Sequence, residues 1–241
     1  MDMSRVAIVA ALEREVRPLV KNWRVSEKEH GERQFRFFEN DDVVLVCGGI
    51  GATAARCAAE AIMAIFQPKL IYSAGFAGAL DAKLKVGDIV RPGRVVNAGD
   101  GSSVTLDGGD SVLVSFGSVA SPDQKRSLRE SFGAQAVDME AAAVARAAEA
   151  RGIEFAAIKV ISDEVDFDFP SMERFVDPDG RFSEGKFAWF AAVRPWLWPQ
   201  VMRLARNSRR ASHALCARLR GLNVSPAASD EAHPSTAVHL K

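Results

Sequence analysis

A repeated unit constrains this chain more than any other feature. Short apolar runs stop at a glycine or an acid and are followed by stretches of helical length with helical periodicity. Residues 6–11 are too short for a helix, and they lead into Leu12, Val16, Leu19, Val20 and Trp23, which recur at helical spacing. Val43–Cys47 passes through Gly48-Gly49-Ile50-Gly51 into an alanine-rich helix expected to reach about Phe66, with Pro68 closing it. Residues 70–74 read as a third buried strand ending at Gly75. Ala136–Asp138 precedes a helix expected over residues 139–150, and residues 154–161 form the last clear strand, with Asp163 just past its end. Strands alternating with helices predict a central sheet covered on both faces.

Between these units the pattern is weaker. Residues 35–38 and Val43–Cys47 read as a β pair joined by the turn formers Asn40-Asp41-Asp42. Residues 86–90, Arg94–Asn97 and Val112–Ser115 are further expected strands, and residues 99–110 a hairpin tip or loop. Ser121-Pro122 has the cap-then-proline order of a helix start. Residues 1–199 are expected to form one domain, residues 200–222 a basic helix and residues 223–241 a disordered tail rich in Ser, Ala and Pro.

Composition excludes several classes. Lys plus Arg equals Asp plus Glu at 31 each in 241 residues, so bulk charge predicts no nucleic-acid partner. The charge is nevertheless uneven: residues 191–241 hold eight basic and two acidic side chains, a net +6, which leaves −6 for the remainder. Apolar runs fall short of a membrane-spanning helix, and the opening residues lack a signal-peptide pattern. Three scattered cysteines and four histidines show no disulfide or metal-ligand spacing, so neither metal nor cofactor is expected and a reducing cytoplasm is the expected compartment. Gly49-Ile50-Gly51-Ala52-Thr53-Ala54 fits a loose dinucleotide pattern, but the next strand ends without the acid that grips a ribose.

In sheets of this kind ligands sit at the carboxyl ends of the strands. That rule selects Glu13 and Glu15, the glycines at 48–51, Gly75 and Phe76, and Asp163, with Glu140 just beyond a short strand. Arg14 is expected to point away from the pocket that Glu15 lines. Carboxylates gathered in one cleft suit cleavage of a glycosidic bond: one activates water, another holds sugar hydroxyls, and a third donates to the leaving group. The plain alternatives are a solvated Glu15, a first-turn Glu140 on the helix dipole, and Asp163 as a cap or turn residue.

These residues resemble a known family. VAIVAALEREV at 6–16, GGIG at 48–51, AGFAGAL at 74–80, LKVGDIV at 84–90, AVDMEA at 136–141 and VISD at 160–163 are similar, in order, to segments of the methylthioadenosine/S-adenosylhomocysteine nucleosidases within the nucleoside phosphorylase superfamily. The resemblance implies a three-layer α/β/α sandwich with a central mixed sheet. It implies Glu15 as the base that activates water and Asp163 as the acid on purine N7, supported by Ser162. It places Met139 and Glu140 at the sugar, and Gly49, Gly51, Gly75, Phe76 and Lys159 around the substrate. The substrate implied is a purine nucleoside or 5′-substituted adenosine, and the assembly a homo-oligomer, with a dimer favoured. Phe76 stands where those enzymes carry Ser, and Lys159 where they carry Arg.

Three readings remain beside hydrolysis. Phosphate could replace water as co-substrate, with Arg91 and Arg94 as candidate ligands, though Glu15 at the nucleophile position disfavours an anion. A binding protein without turnover is the second. The third is a membrane-associated enzyme acting on a lipid-linked adenosine, suggested by Phe187, Trp189, Phe190, Trp196 and Trp198 ahead of the arginine-rich helix. Residues 116–120 are the positional candidates for the base pocket.

Overall fold

The computed structural model describes residues 6–107, 109–168, 175, 177, 180 and 182–222. The expected tail at 223–241 lies outside the described residues. At the centre, β1 (Val6–Ala10) runs parallel between β4 (Val43–Cys47) and β5 (Leu70–Ala79). On its other edge β5 carries β11 (Glu154–Asp163), also parallel. Beyond Ser73 the edge that β1 leaves is taken by β10 (Ala136–Asp138), antiparallel, with Val137 opposite Gly78. The sheet continues through β9 (Val112–Ser115) and β7 (Arg94–Asn97) to β8 (Ser103–Thr105). At the opposite margin β2 (Arg24–His30) and β3 (Arg33–Glu39) form an antiparallel meander onto β4, and β6 (Ile89–Val90) pairs with β11. The sheet is therefore mixed.

The alternation of β1 sorts the layers. Ala7 and Val9 face α2 (Ala52–Phe66) and α4 (Ala141–Glu149) in one core cluster. Ile8 and Ala10 face α1 (Glu13–Val20) and α6 (Trp198–Arg220) in the other. A smaller cluster under α3 (Pro122–Phe132) joins Leu128 to Val96, Val114 and Val137. The start of α3 is fixed by a capping box between Ser121 and Gln124.

The C-terminal half of the basic helix belongs to the core. Leu215 is 0% and Leu219 5% exposed in α6, each burial worth about 1.5–3 kcal/mol. A second tie is polar. Pro18 lies inside α1 and has no N–H, so the carbonyl of Arg14 four residues earlier lacks its helical donor. Ser212 Oγ lies 3.3 Å from that carbonyl oxygen and donates to the Glu15 carbonyl at 2.9 Å. Thus α6 clamps the turn that carries Glu15. No helix among the described residues is long and apolar enough to cross a membrane.

Several expected boundaries shift. β5 continues five residues past Ala74 through Gly75 and Gly78, and residues 86–90 contribute only Ile89–Val90 to the sheet. β11 reaches Asp163 through a register shift after Ile161, so Asp163 ends the strand instead of following it. Helix α4 starts at Ala141 with Glu140 as its N-cap, and α6 starts at Trp198.

Candidate active site

A cavity of about 780 Å³ opens where β1, β5, β10 and β11 converge. Glu15, Gly51, Gly75, Phe76, Met139, Glu140, Lys159, Ser162 and Asp163 all line it, and Gly49 does not. The Gly49 N–H is spent on the Ala11 carbonyl at 3.0 Å, so this residue shapes the turn without facing the cavity. The expectation for Arg14 is also corrected: it lines the cavity, its guanidinium 4.8 Å over the Phe182 ring. Arg91 and Arg94, the candidate phosphate ligands, are not on the cavity wall. Of residues 116–120, the four from Gly117 to Ala120 line it.

Glu15 sits in the first turn of α1 and is 5% exposed. Its Oε2 is buried with no hydrogen-bond partner. A buried, unpartnered carboxylate oxygen is costly when ionised. Burial, reinforced by the nearby Glu140 carboxylate, pushes the Glu15 carboxyl up to about 8, with Lys159, Arg14 and the Phe76 N–H acting in the opposite direction. The strand beneath carries glycine, where a Cβ on Gly75 would stand 2.9 Å from Glu15 Oε2 and displace the carboxylate.

Glu140 reaches across the cavity floor. Its Oε1 accepts from the Gly51 N–H at 2.9 Å, tying the glycine turn after β4 to the start of α4. Burial raises its proton affinity, against the pull of Lys159. Asp138 takes the capping role: its Oδ2 accepts the Ala141 N–H at 2.9 Å and its Oδ1 the Ser115 hydroxyl at 2.6 Å. Lys159 Nζ lies 2.7 Å from Asp138 Oδ2, both buried. Burial disfavours the ammonium, but Asp138 and Glu140 together hold its pKa above the ordinary lysine value.

Asp163 forms a second, different station. Its Oδ1 accepts the Ser162 hydroxyl at 2.7 Å, and its Oδ2 accepts Lys125 Nζ at 2.5 Å. Lys125 is 3% exposed and also donates to the Glu164 carbonyl at 2.7 Å. Here too the floor is glycine, since a Cβ on Gly78 would meet Asp163 Oδ2 at 2.9 Å. Gly75 and Gly78 are three residues apart on β5, about 10 Å along a strand.

Sequence reasoning missed Lys125 and Gly78. The signal for Lys125 was present, because it precedes Leu128 by three on the one buried stripe of an otherwise polar helix. Gly78 was hidden by the reading of Gly75 as a strand terminator.

Comparison with known proteins bears on this geometry. The chain matches the sequence profile of the phosphorylase superfamily over residues 5–122 and 111–181. It is 32% identical over 99 residues to a 5′-methylthioadenosine/S-adenosylhomocysteine nucleosidase of Marinomonas sp., covering 39% of this chain and only 42% of that protein. It is 26% identical over 200 residues to the enzyme of the same name from Bacillus pumilus, covering 66% of this chain and 85% of that one. Its fold is similar to the S-adenosylhomocysteine nucleosidase of Streptococcus pyogenes solved with 5-methylthiotubericidin, with a TM-score of 0.65 and 21% identity over 93% of this chain and 99% of that one.

Proposed function

The chain belongs to the phosphorylase superfamily, and from that premise we propose that it hydrolyses the N-glycosidic bond of a purine nucleoside. The substrate class is 5′-substituted adenosine, and no cofactor is invoked. One observation carries the reading: two carboxylates in different surroundings, Glu15 and Asp163, line one cavity, each against a glycine of the same strand. The names of the Bacillus and Marinomonas relatives support the reaction class.

The chemistry follows from the two stations. In its ionised form, which its raised pKa of about 8 makes a strong base, Glu15 takes a proton from water as the water oxygen bonds to C1′ of the sugar. Glu140 and Met139 line the same cavity and are assigned to the sugar, the carboxylate to its hydroxyls. The C1′–N9 bond breaks with its electron pair on the purine, and the Asp163 station serves protonation at N7. Water is favoured over phosphate because five carboxylates line the cavity against three cations, and two of those cations, Lys125 and Lys159, are committed to Asp163 and Asp138. Base release from 5′-methylthioadenosine, S-adenosylhomocysteine, adenosine and inosine, with and without phosphate, tests the proposal. Phosphate-independent release is expected. No release across the panel contradicts it, and a strict phosphate requirement makes the protein a phosphorylase.

A second reading concerns where the enzyme works. Trp189, Trp196, Trp198 and Met202 are 72%, 70%, 53% and 72% exposed along one continuous segment, with Arg206, Arg209 and Arg210 exposed just beyond. Aromatic side chains beside arginines suit the face of an anionic bilayer. Leu204 and Ser208 of the same helix line the cavity, so a long apolar 5′ substituent would reach that surface. Sedimentation with vesicles tests this reading. Binding that needs anionic lipid and is lost when Trp196 and Trp198 become Ser is expected. Self-association through these tryptophans without vesicle binding would assign the face to a homodimer.

A further inference from the structure

We propose that the Lys125 ammonium is the group that donates to N7 of the leaving base, while Asp163 accepts the 6-amino N–H, so that the pair reads adenine. This rests on the nucleosidase reading and assigns a further catalytic residue to it.

Lys125 occupies a stripe position on α3 where an apolar side chain would pack at no electrostatic cost. Burying an ammonium is tolerated only with close acceptors. Two are present, Asp163 Oδ2 and the Glu164 carbonyl. An ammonium has three N–H donors, so one is left over, and Lys125 lines the cavity. Asp163 is arranged in the complementary way. It takes one donor on each oxygen, from Ser162 and from Lys125, and each carboxylate oxygen keeps a further lone pair to accept with. The cavity wall therefore presents a donor beside an acceptor. The edge of adenine beyond the glycosidic nitrogen presents an acceptor at N7 beside a donor at the 6-amino group. A 6-oxopurine presents two acceptors there and would set its oxygen against Asp163.

The proton balance is closed. As C1′–N9 breaks, its electron pair stays on the purine and a proton passes from Lys125 Nζ to N7, leaving a neutral amine. Water gives its oxygen to C1′ and one proton to Glu15, and the other stays on the sugar hydroxyl. After release, the proton on Glu15 returns through solvent to the amine. The net change is addition of water.

Lys125→Arg and Lys125→Met test the assignment on 5′-methylthioadenosine. Arginine keeps charge and donors but cannot give up a proton. Lys125→Arg is expected to hold KM within about threefold while kcat falls at least about 100-fold, within the range for loss of a general acid. Lys125→Met is expected to lose kcat on the nucleoside yet retain cleavage of 4-nitrophenyl riboside, whose leaving group needs no proton. Wild-type protein is expected to disfavour the 6-oxo analogue by at least about 100-fold, because its oxygen would face the Asp163 carboxylate with no hydrogen between them. Near-wild-type kcat in Lys125→Arg, or equal losses on both leaving groups in Lys125→Met, would overturn the assignment. Should Lys125→Met fail to fold, Lys125→Arg decides. A wild-type protein that releases no base from any nucleoside overturns the nucleosidase reading itself, and this proposal with it.

Discussion

Glu15 and Asp163 are two carboxylates on one cavity, and they differ in burial and in hydrogen-bond partners. Glu15 is buried, has an unpartnered oxygen and lies near a second carboxylate, which pushes it up to about 8. Asp163 is 22% exposed and receives a hydroxyl and an ammonium. The sheet makes this possible by pairing β5 with β1 and then β10, so one strand supplies a glycine floor to both stations. Residue type alone does not assign a role; the partners do.

The comparison can be broken hardest at Glu15. Glu15→Gln removes the base and should lower kcat by about 10³-fold or more, read as adenine release. Stability should move the other way. Folded Glu15 keeps its proton up to about pH 8, whereas in the unfolded chain it releases it near 4.5, so folding loses stability as pH rises through that window. Glu15→Gln should therefore be more stable than wild type at pH 9, by up to on the order of 4 kcal/mol, and show no gain at pH 4. Thermal melts at both values check this. A melting temperature that rises with pH across the window in wild type but not in the variant would contradict it.

The pair Lys159–Asp138 anchors the floor between the stations. Lys159→Met leaves a buried carboxylate uncompensated and should cost about 3–5 kcal/mol in urea unfolding. Gly75→Ala and Gly78→Ala sharpen the contrast. Each adds a methyl against a carboxylate oxygen at 2.9 Å, at about 1–3 kcal/mol. Gly75→Ala should depress cleavage of both purine and 4-nitrophenyl ribosides, and Gly78→Ala chiefly that of purines. The smallest effect is expected at Ser212→Ala, which removes the hydroxyl that donates to the Glu15 carbonyl and should cost about 1 kcal/mol.

Much of this was legible in the sequence. The short apolar run of β1, the helix from Ala52 to Phe66 and the start at Ser121 follow from run length, periodicity and caps. β2 was missed because RVSEKEH is an edge strand that buries neither face and so carries no apolar alternation. The far half of β5 was missed because its glycines look like terminators, whereas they clear space for carboxylates brought from distant segments. Lys125 was missed because its only local mark is its place three before Leu128 on the buried stripe, and its acceptors lie 38 and 39 residues away. The helical position of Arg14 suggested solvent, but Phe182, from beyond the last recognisable motif, gives it a ring to cover.

The most direct test is adenine release from 5′-methylthioadenosine in phosphate-free buffer, comparing wild type with Glu15→Gln. Release proportional to wild-type enzyme, unchanged by added phosphate and abolished in the variant, is the predicted result. Release that persists at the wild-type rate in Glu15→Gln, or that appears only when phosphate is added, would contradict a carboxylate-activated water in this cavity.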